Sequence, residues 1–193
     1  MTFEKAMVIL FTKVAQTVIA ERFTHTFFDN DGNRVRKVFA YLFSVFIAIF
    51  VNLFFYKPIF NFLSIFLGLS AIALSYNGTI KRKCIFVFYI LAVSCLIDLV
   101  VSAFLIKPFG YDGYSAFVSI FALLLLHAAQ LITERFFGND LGIELNNRYW
   151  LFIIASLLVC IITSIVIFMD KTVSSFSLSL VCGAFLLVNI IHI

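Results

Sequence analysis

Charged residues are scarce in this chain of 193 residues, of which 12% are charged and 63% hydrophobic, with a mean hydropathy of +1.11. A soluble globular domain is typically about 25% charged. Proline is also rare, and both prolines, Pro58 and Pro108, follow a lysine at the boundary of an apolar run. The composition therefore excludes a soluble domain, and no apolar run is expected to contain a proline kink.

Catalytic signatures are missing as well. The sequence contains no nucleophile elbow, no HExxH, no Walker A loop and no dinucleotide fingerprint. All four cysteines lie inside apolar runs and lack the spacing of metal ligands, so we interpret them as packing residues. We expect no enzyme active site, no cofactor and no metal site in this chain.

The dominant positive feature is a series of apolar runs, six of which extend about twenty residues with at most one charge each. About twenty helical residues cross the roughly 30 Å hydrocarbon core of a bilayer. The sequence therefore predicts an all-α, polytopic transmembrane helix bundle, a single domain over residues 1–193. The seven predicted segments, of which the first is the most polar, are Lys5–Phe28, Val38–Tyr56, Pro58–Tyr76, Cys84–Ile106, Tyr114–Thr133, Tyr149–Met169 and Thr172–Ile193.

Loop charges predict the orientation, because basic residues collect in cytoplasmic loops. The loops after segments two, four and six contain only Lys57, Lys107 and Lys171 as basic residues. The loops after segments one, three and five contain eight: Arg34, Arg36, Lys37, Lys81, Arg82, Lys83, Arg135 and Arg148. Seven spans then place the N-terminus outside and the C-terminus in the cytoplasm. If segment one is interfacial, six spans remain. We expect a multi-pass protein of a bacterial plasma membrane, with membrane lipid and not nucleic acid as its partner.

Asp98 is the only acidic side chain well inside an otherwise uncharged predicted span. Asp98 shares one helix face with Ser94 and Ser102, which predicts either a ligand or ion contact or a structural ion pair or hydrogen bond. Lys13, on segment one, lies at a similar predicted depth, about 12 Å below the outer edge. Opposite charges at one depth predict a Lys13–Asp98 ion pair, with segment one packed against segment four.

A ligand site is expected in the outer half of the bundle, where polar side chains fall within about three helical turns of the outer surface. We expect Phe and Leu to form most of the remaining lining, which suits an amphipathic peptide or lipid-like signal. The candidate ligand-binding residues are Lys13, Asn52, Asn61, Ser64, Asp98, Ser102 and Ser177.

A second polar group lies on segment five. His127, Gln130 and Glu134 recur at helical spacing. One histidine and one carboxylate are too few for a metal site. The spacing indicates an intramembrane polar network, either an interhelical hydrogen-bond network or a proton relay.

Three short stretches of the sequence resemble those of a known family. Glu21–Phe28 lead into a polar turn, Ser75–Lys83 form a short basic connection, and Glu134–Phe136 end a helix. With six or seven short-looped spans and an inside C-terminus, the whole chain resembles the membrane sensor domain of AgrC-type histidine kinases, a GHKL-class family that senses peptide pheromones. Members of that family continue into a helix with a phospho-accepting histidine and an ATP-binding domain, so a kinase domain, if the gene encodes one, is expected beyond Ile193. The resemblance thus implies either the isolated sensor half of such a kinase or a truncated relative, and no catalytic residue can be carried over to this chain.

Three functions stay open at this point. The first is the sensor or receptor domain of a two-component histidine kinase in quorum sensing, which binds a peptide or hydrophobic signal from the outer side and relays it through the last helix. A homodimer is a candidate assembly for such a receptor. The alternative is a small transporter or channel-like membrane protein with Asp98 and Lys13 lining a substrate path. A structural or accessory subunit is the third hypothesis.

Overall fold

The computed structural model describes residues 3–28, 33–55, 58–110 and 115–137. Every regular element in these ranges is helical, which confirms the predicted all-α class for them. The elements are α1 (Phe3–Phe27), α2 (Arg34–Phe54), α3 (Pro58–Ser75), α4 (Ile80–Val101), a π-helical turn (Ser102–Ile106), α5 (Lys107–Phe109) and α6 (Ala116–Phe137). Predicted segments six and seven, Tyr149–Met169 and Thr172–Ile193, lie outside the described residues.

Three described helices are long and apolar enough to cross a membrane, over Arg34–Phe54, Ile80–Ile106 and Ala116–Arg135. A shorter apolar helix covers Phe60–Ser75 within α3. α1 is of similar length but contains several charged side chains, Lys13 among them. These lengths and compositions are compatible with a membrane protein.

Small polar side chains define where three helices begin. The Asn33 side chain accepts a hydrogen bond of 3.0 Å from the backbone N–H of Val35 at the start of α2. Thr79 accepts one of 3.4 Å from Arg82 at the start of α4, and Ser115 accepts one of 3.3 Å at the start of α6. Each cap satisfies a backbone donor that has no partner within the first helical turn, so these residues explain the helix boundaries.

The turn between α3 and α4 requires a glycine. Gly78 has a φ of +153°, a conformation that side chains with a Cβ rarely adopt. A Cβ at this position would also lie 3.3 Å from Cδ1 of Phe28. The turn therefore packs its backbone directly against the end of α1.

The five long helices form a closed ring. α2 packs on α1 and on α3, α4 packs on α3 and on α6, and α6 returns to α1. α4 also contacts α1 across the ring. Half of the apolar window of α4 is buried, against 22% for α2 and for α6, so α4 is the most enclosed of the three. Short connections make consecutive helices antiparallel. We name the end at which α2 passes into α3 the cavity end, and the opposite end the aromatic end.

The closest approach of α2 and α3 occurs at Gly68. A Cβ on this glycine would meet the Ser44 hydroxyl, and would lie 3.1 Å from Ser44 Cβ and 3.3 Å from its Cα. Small residues allow helix backbones to approach in this way, and such contacts drive helix association where lipid removes the hydrophobic driving force. Gly68 and Ser44 therefore fix the α2–α3 crossing.

Five buried rings at the aromatic end constitute what we call the aromatic core, and they are Phe23, Phe27, Phe28, Tyr76 and Phe86. Phe28 stacks on Tyr76 with ring centroids 5.4 Å apart, and lies 5.2 Å from Phe86. Phe27 meets Phe86 edge-on at 5.6 Å. Such aromatic pairs contribute about 0.5–1.5 kcal/mol each beyond their area burial. The core ties the end of α1 to the α3–α4 turn and to α4.

Candidate functional site

A cavity of about 110 Å³ lies inside the ring of helices. All five long helices contribute to its wall, most of them through residues in the half of the helix nearer the cavity end. The lining residues are Lys13, Gln16, Thr17, Ala20, Phe23, Ser44, Ala48, Asn61, Ser64, Ile65, Leu69, Ile90, Ser94, Ile97, Asp98, Ala122 and Leu126. The cavity is smaller than an engineered cavity of about 150 Å³ that accommodates benzene, and it has room for a few water-sized groups.

Polar groups make up about half of this lining, which is unusual in the centre of so apolar a chain. They include an ammonium, a carboxylate, two amides and several hydroxyls on four different helices. Polar groups removed from water are costly unless they find partners. This arrangement therefore predicts water or a polar ligand in the cavity.

Lys13 is held in position by two neutral amides. Its side chain is only 8% exposed. The Nζ atom donates hydrogen bonds of 3.2 Å to Oε1 of Gln16, one turn further along α1, and of 3.3 Å to Oδ1 of Asn61 on α3. An ammonium has three hydrogens to donate. Lys13 thus links α1 to α3 and keeps one donor in excess of these two hydrogen bonds.

Asp98 lies on α4 in the wall of the same cavity, and its side chain is exposed there. The two opposite charges attract each other. Within the described residues, however, no oxygen of Asp98 lies within 4.0 Å of Lys13 Nζ. The predicted direct ion pair between Lys13 and Asp98 is therefore wrong, because Lys13 donates to the amides of Gln16 and Asn61 instead. The two residues do line the same cavity.

A second layer supports Asn61. Asn52, buried on α2, donates 3.0 Å to the same Asn61 oxygen that Lys13 uses, and 2.8 Å to the backbone carbonyl of Ala48. Ser64 donates 2.7 Å to the backbone carbonyl of Asn61. These bonds fix the Asn61 amide with its oxygen toward Lys13, so the position of the ammonium depends on three helices.

Phe23 forms the floor of the cavity toward the aromatic end. Its side chain is 0% exposed and lies in the aromatic core as well as in the cavity wall. Its ring is 6.4 Å from that of Tyr89 on α4. In the part of the chain that the structure describes, the polar cavity thus ends against packed rings.

The structure brings together four of the seven candidate ligand-binding residues, because Lys13, Asn61, Ser64 and Asp98 all line the cavity. Asn52 lies behind the wall as a support. Ser102 opens the π-helical turn and does not line the cavity, although Ser94 on the same predicted face does. Ser177 lies outside the described residues.

The prediction of a lining rich in Phe and Leu is wrong for the described cavity. Its apolar wall consists mainly of Ala and Ile, with one Phe and two Leu side chains. Many Phe side chains are instead exposed on the outside of the bundle, among them Phe39, Phe43, Phe46, Phe50 and Phe54 on α2. Small side chains in the lining leave space between the helices that large rings would fill.

Sequence reasoning missed Ser44 entirely and did not place Gln16, Thr17 or Ser94 in the ligand site. Ser94 shares the predicted face of Asp98, and Gln16 and Thr17 follow Lys13 by three and four residues, so helical periodicity was the available signal. Ser44 had no such signal, because its place in the wall depends on the close approach of Gly68. The predicted packing of segment one into the bundle is observed, since α1 contacts α2, α4 and α6.

Only two of the three residues in the predicted polar network of His127, Gln130 and Glu134 are hydrogen-bonded to each other. Gln130, 1% exposed, donates a 2.7 Å hydrogen bond to Oε2 of Glu134 one turn later. Its Oε1 is buried, with no hydrogen-bond partner among the described residues. His127 forms no hydrogen bond with either residue. An interhelical polar contact on the same helix joins Thr133 to Tyr89 on α4, at 2.8 Å between hydroxyls, which the sequence did not suggest.

A third polar cluster lies at the aromatic end. The Tyr76 hydroxyl is 2.9 Å from that of Tyr41 and 3.0 Å from that of Thr24, and Thr24 is completely buried. Lys37 Nζ lies 4.2 Å from the centre of the Tyr76 ring, a cation–π geometry. This cluster joins α1, α2 and the end of α3 beside the aromatic core.

The chain matches no protein family, no curated protein and no solved structure with which it was compared. Among the described residues, no three or more His, Cys, Asp or Glu side chains are grouped so as to hold a metal ion. The candidate site therefore rests on its own geometry, a polar cavity with opposite charges in its wall.

Proposed function

We propose that this chain is the membrane sensor domain of a two-component histidine kinase, a multi-pass domain of the bacterial plasma membrane that responds to a ligand in the cavity. The observation that carries the proposal is a polar cavity lined by five helices and floored by the aromatic core. A pocket that ends inside the bundle suits a receptor better than a conduit.

Orientation supports this use of the cavity. With the basic loops in the cytoplasm, the cavity end of the bundle faces outward. Lys13 comes ten residues after Phe3, about 15 Å along α1, and Asp98 comes eight residues before Ile106, about 12 Å from that end. The cavity then lies in the outer half of the membrane, where a signal from outside can enter. Six or seven spans both fit this arrangement, because both leave the C-terminus inside.

The same geometry offers a route for the signal. A ligand in the cavity contacts all five helices at once, and packed interiors respond to such a change by small discrete helix shifts. Phe23 carries the change into the aromatic core, which joins α1 and α4 at the cytoplasmic end. The last helix of the proposed relay, Thr172–Ile193, lies outside the described residues.

Cavity size limits what can enter. About 110 Å³ admits one small group, not a whole peptide. A peptide pheromone would therefore insert a single side chain or terminus and leave the rest on the outer surface. The polar wall also favours a polar group over a lipid-like one.

The test uses the full-length gene product in membrane vesicles. First, the reading frame beyond Ile193 should encode a kinase domain with a phospho-accepting histidine. Second, autophosphorylation from labelled ATP should change when spent medium of the producing bacterium is added. Ser64→Leu, which fills the cavity, should abolish that response. The matched control is Leu63→Phe, a change at an exposed neighbouring position on α3.

A kinase domain whose activity responds to spent medium in the wild type and in Leu63→Phe, but not in Ser64→Leu, supports the proposal. A reading frame without a kinase domain contradicts it, and so does a Ser64→Leu variant that is folded and fully responsive.

A small transporter is the second candidate. It is favoured by the π-helical turn Ser102–Ile106, which begins one turn after Asp98. Such turns occur frequently at functional sites in helices. Uptake of a labelled solute into sealed vesicles that depends on Asp98, without any effect on phosphorylation, would select this candidate.

A further inference from the structure

We infer that the cavity binds a small zwitterion, a molecule with one ammonium and one carboxylate group, between Lys13 and Asp98. The inference rests on the proposed ligand-binding role of the cavity and specifies the chemical class of its ligand. The ligand carboxylate would take the remaining donor of Lys13, and the ligand ammonium would contact the Asp98 carboxylate.

The first support is that the two charges share a cavity without satisfying each other. Lys13 Nζ is bonded to amide oxygens of Gln16 and Asn61, and among the described residues no Asp98 oxygen lies within 4.0 Å of it. Opposite charges inside an apolar bundle would normally be expected to pair directly, because each is costly alone. Here the ammonium is hydrogen-bonded to the two amides, and both charges border the same cavity of about 110 Å³.

The second support is that this space is shaped for a polar molecule of few atoms. Asp98 lines the cavity, its side chain is exposed, and no hydrogen bond to it occurs within the described part of the chain. The cavity of about 110 Å³ is too small for a lipid chain or a peptide segment. A ligand with a single charge would satisfy one wall and leave the other unpaired, whereas a zwitterion satisfies both.

The third support is that the position of the ammonium is fixed by residues that a ligand need not displace. Asn52 and Lys13 both donate to the Asn61 oxygen, at 3.0 and 3.3 Å. The Lys13 side chain is therefore oriented before a ligand arrives, which lowers the entropic cost of binding. A directly paired lysine would first have to leave its partner.

The experiment measures binding to the chain in lipid nanodiscs, in phosphate buffer, since many common buffers are themselves zwitterions. The probes are glycine, β-alanine and 4-aminobutyrate, which differ in charge separation, together with acetate and ethylammonium as single-charge analogues. Equilibrium dialysis with labelled probe gives the dissociation constant, and the thermal unfolding midpoint gives an independent readout. The variants are Lys13→Met and Asp98→Asn. The controls are Lys5→Met and Glu134→Gln, which change charge outside the cavity wall.

We expect at least one zwitterion to bind at least about tenfold more tightly than acetate and ethylammonium, and each cavity variant to weaken it by about tenfold or more. Both control variants should bind like the wild type. Equal binding of a single-charge analogue, unchanged binding in both cavity variants, or no zwitterion binding to a folded wild type would each overturn the inference. The experiment distinguishes failure of this inference from failure of the proposed sensor function. A cavity-dependent kinase response without zwitterion binding refutes only the ligand class, and zwitterion binding without any kinase refutes only the sensor role.

Discussion

Coupling between Lys13 and Asp98 gives the sharpest test of how the cavity is built. We expect the variants Lys13→Met and Asp98→Asn each to destabilise the bundle. Lys13→Met also removes the hydrogen bonds to Gln16 and Asn61, and each bond to a charged group contributes about 1.5–3 kcal/mol. The single variants therefore do not isolate the attraction between the charges. Comparing the double variant with the sum of the two single variants does.

The magnitude follows from separation and surroundings. No Asp98 oxygen lies within 4.0 Å of Lys13 Nζ in the described structure, so the pair lacks the energy of a direct contact. At an effective dielectric constant of about 20, unit charges about 4 Å apart attract by about 4 kcal/mol, which is the upper bound for this pair. The larger separation and the polar surroundings of the cavity reduce the attraction, so we expect a coupling free energy of about 1–1.5 kcal/mol, with the double variant less destabilised than the sum of the singles.

The assay is reversible unfolding in mixed detergent micelles, with the free energy of unfolding measured for the wild type, both singles and the double. A matched control cycle combines Lys13→Met with Glu134→Gln. Glu134 lies eight residues beyond the cavity residue Leu126 on α6, about 12 Å along the helix, so its coupling to Lys13 should be zero within about 0.5 kcal/mol. A Lys13–Asp98 coupling no larger than this control would refute the cavity as an electrostatic unit.

The remaining predictions concern packing, the hydroxyl cluster and orientation. Gly68→Ala should destabilise the bundle by about 1–3 kcal/mol in the same unfolding assay, and adding Ser44→Gly should restore much of the loss, because Ser44 occupies the space that the new methyl needs. A loss that Ser44→Gly leaves unchanged would contradict the crossing. Tyr76→Phe should cost about 1–3 kcal/mol by leaving buried hydroxyls without a partner, and an unchanged stability would contradict that network. Single cysteines at Asn77 and Asp112 in a Cys-free chain should react with an impermeant reagent in intact cells only at Asp112, and the reverse pattern would overturn the orientation.

Helix positions were predictable because the hydropathy profile along the sequence shows where each apolar run begins and ends. The predicted segment Pro58–Tyr76 matches α3 to within a residue, and Cys84–Ile106 ends where the π-helical turn ends. The sequence predicts that segment two starts at Val38, whereas α2 begins at Arg34. The error has a physical cause, since Arg34–Lys37 continue the helix as its polar first turn and no longer count as apolar.

The sequence predicted those site residues whose depth in the bundle can be counted from the helix ends. Lys13 and Asp98 were assigned to one level by counting residues from the helix ends, and the structure places both in one cavity. Counting could not show that amides on α1 and α3 would take the hydrogens of Lys13, because that depends on how the helices rotate about their axes. For the same reason the hydroxyl cluster of Thr24, Tyr41 and Tyr76 escaped prediction. Its members are separated by seventeen or more residues and meet only through helix packing.

Phe23 connects the cavity to the aromatic core, and this connection matters for the proposed sensor role. Its ring belongs both to the cavity wall and to a core in which the rings are completely or almost completely buried. A packed core resists gradual deformation and adopts one of a few discrete arrangements. A ligand that moves α1 against α4 by a fraction of an ångström at Lys13 and Asp98 must therefore either leave Phe23 in place or reseat it between Phe27 and Tyr89. Under the proposed sensor role, the packed aromatic end would convert a small change in the cavity into a choice between two packings. The cavity end could then adapt to a ligand, because the aromatic end holds the helices together.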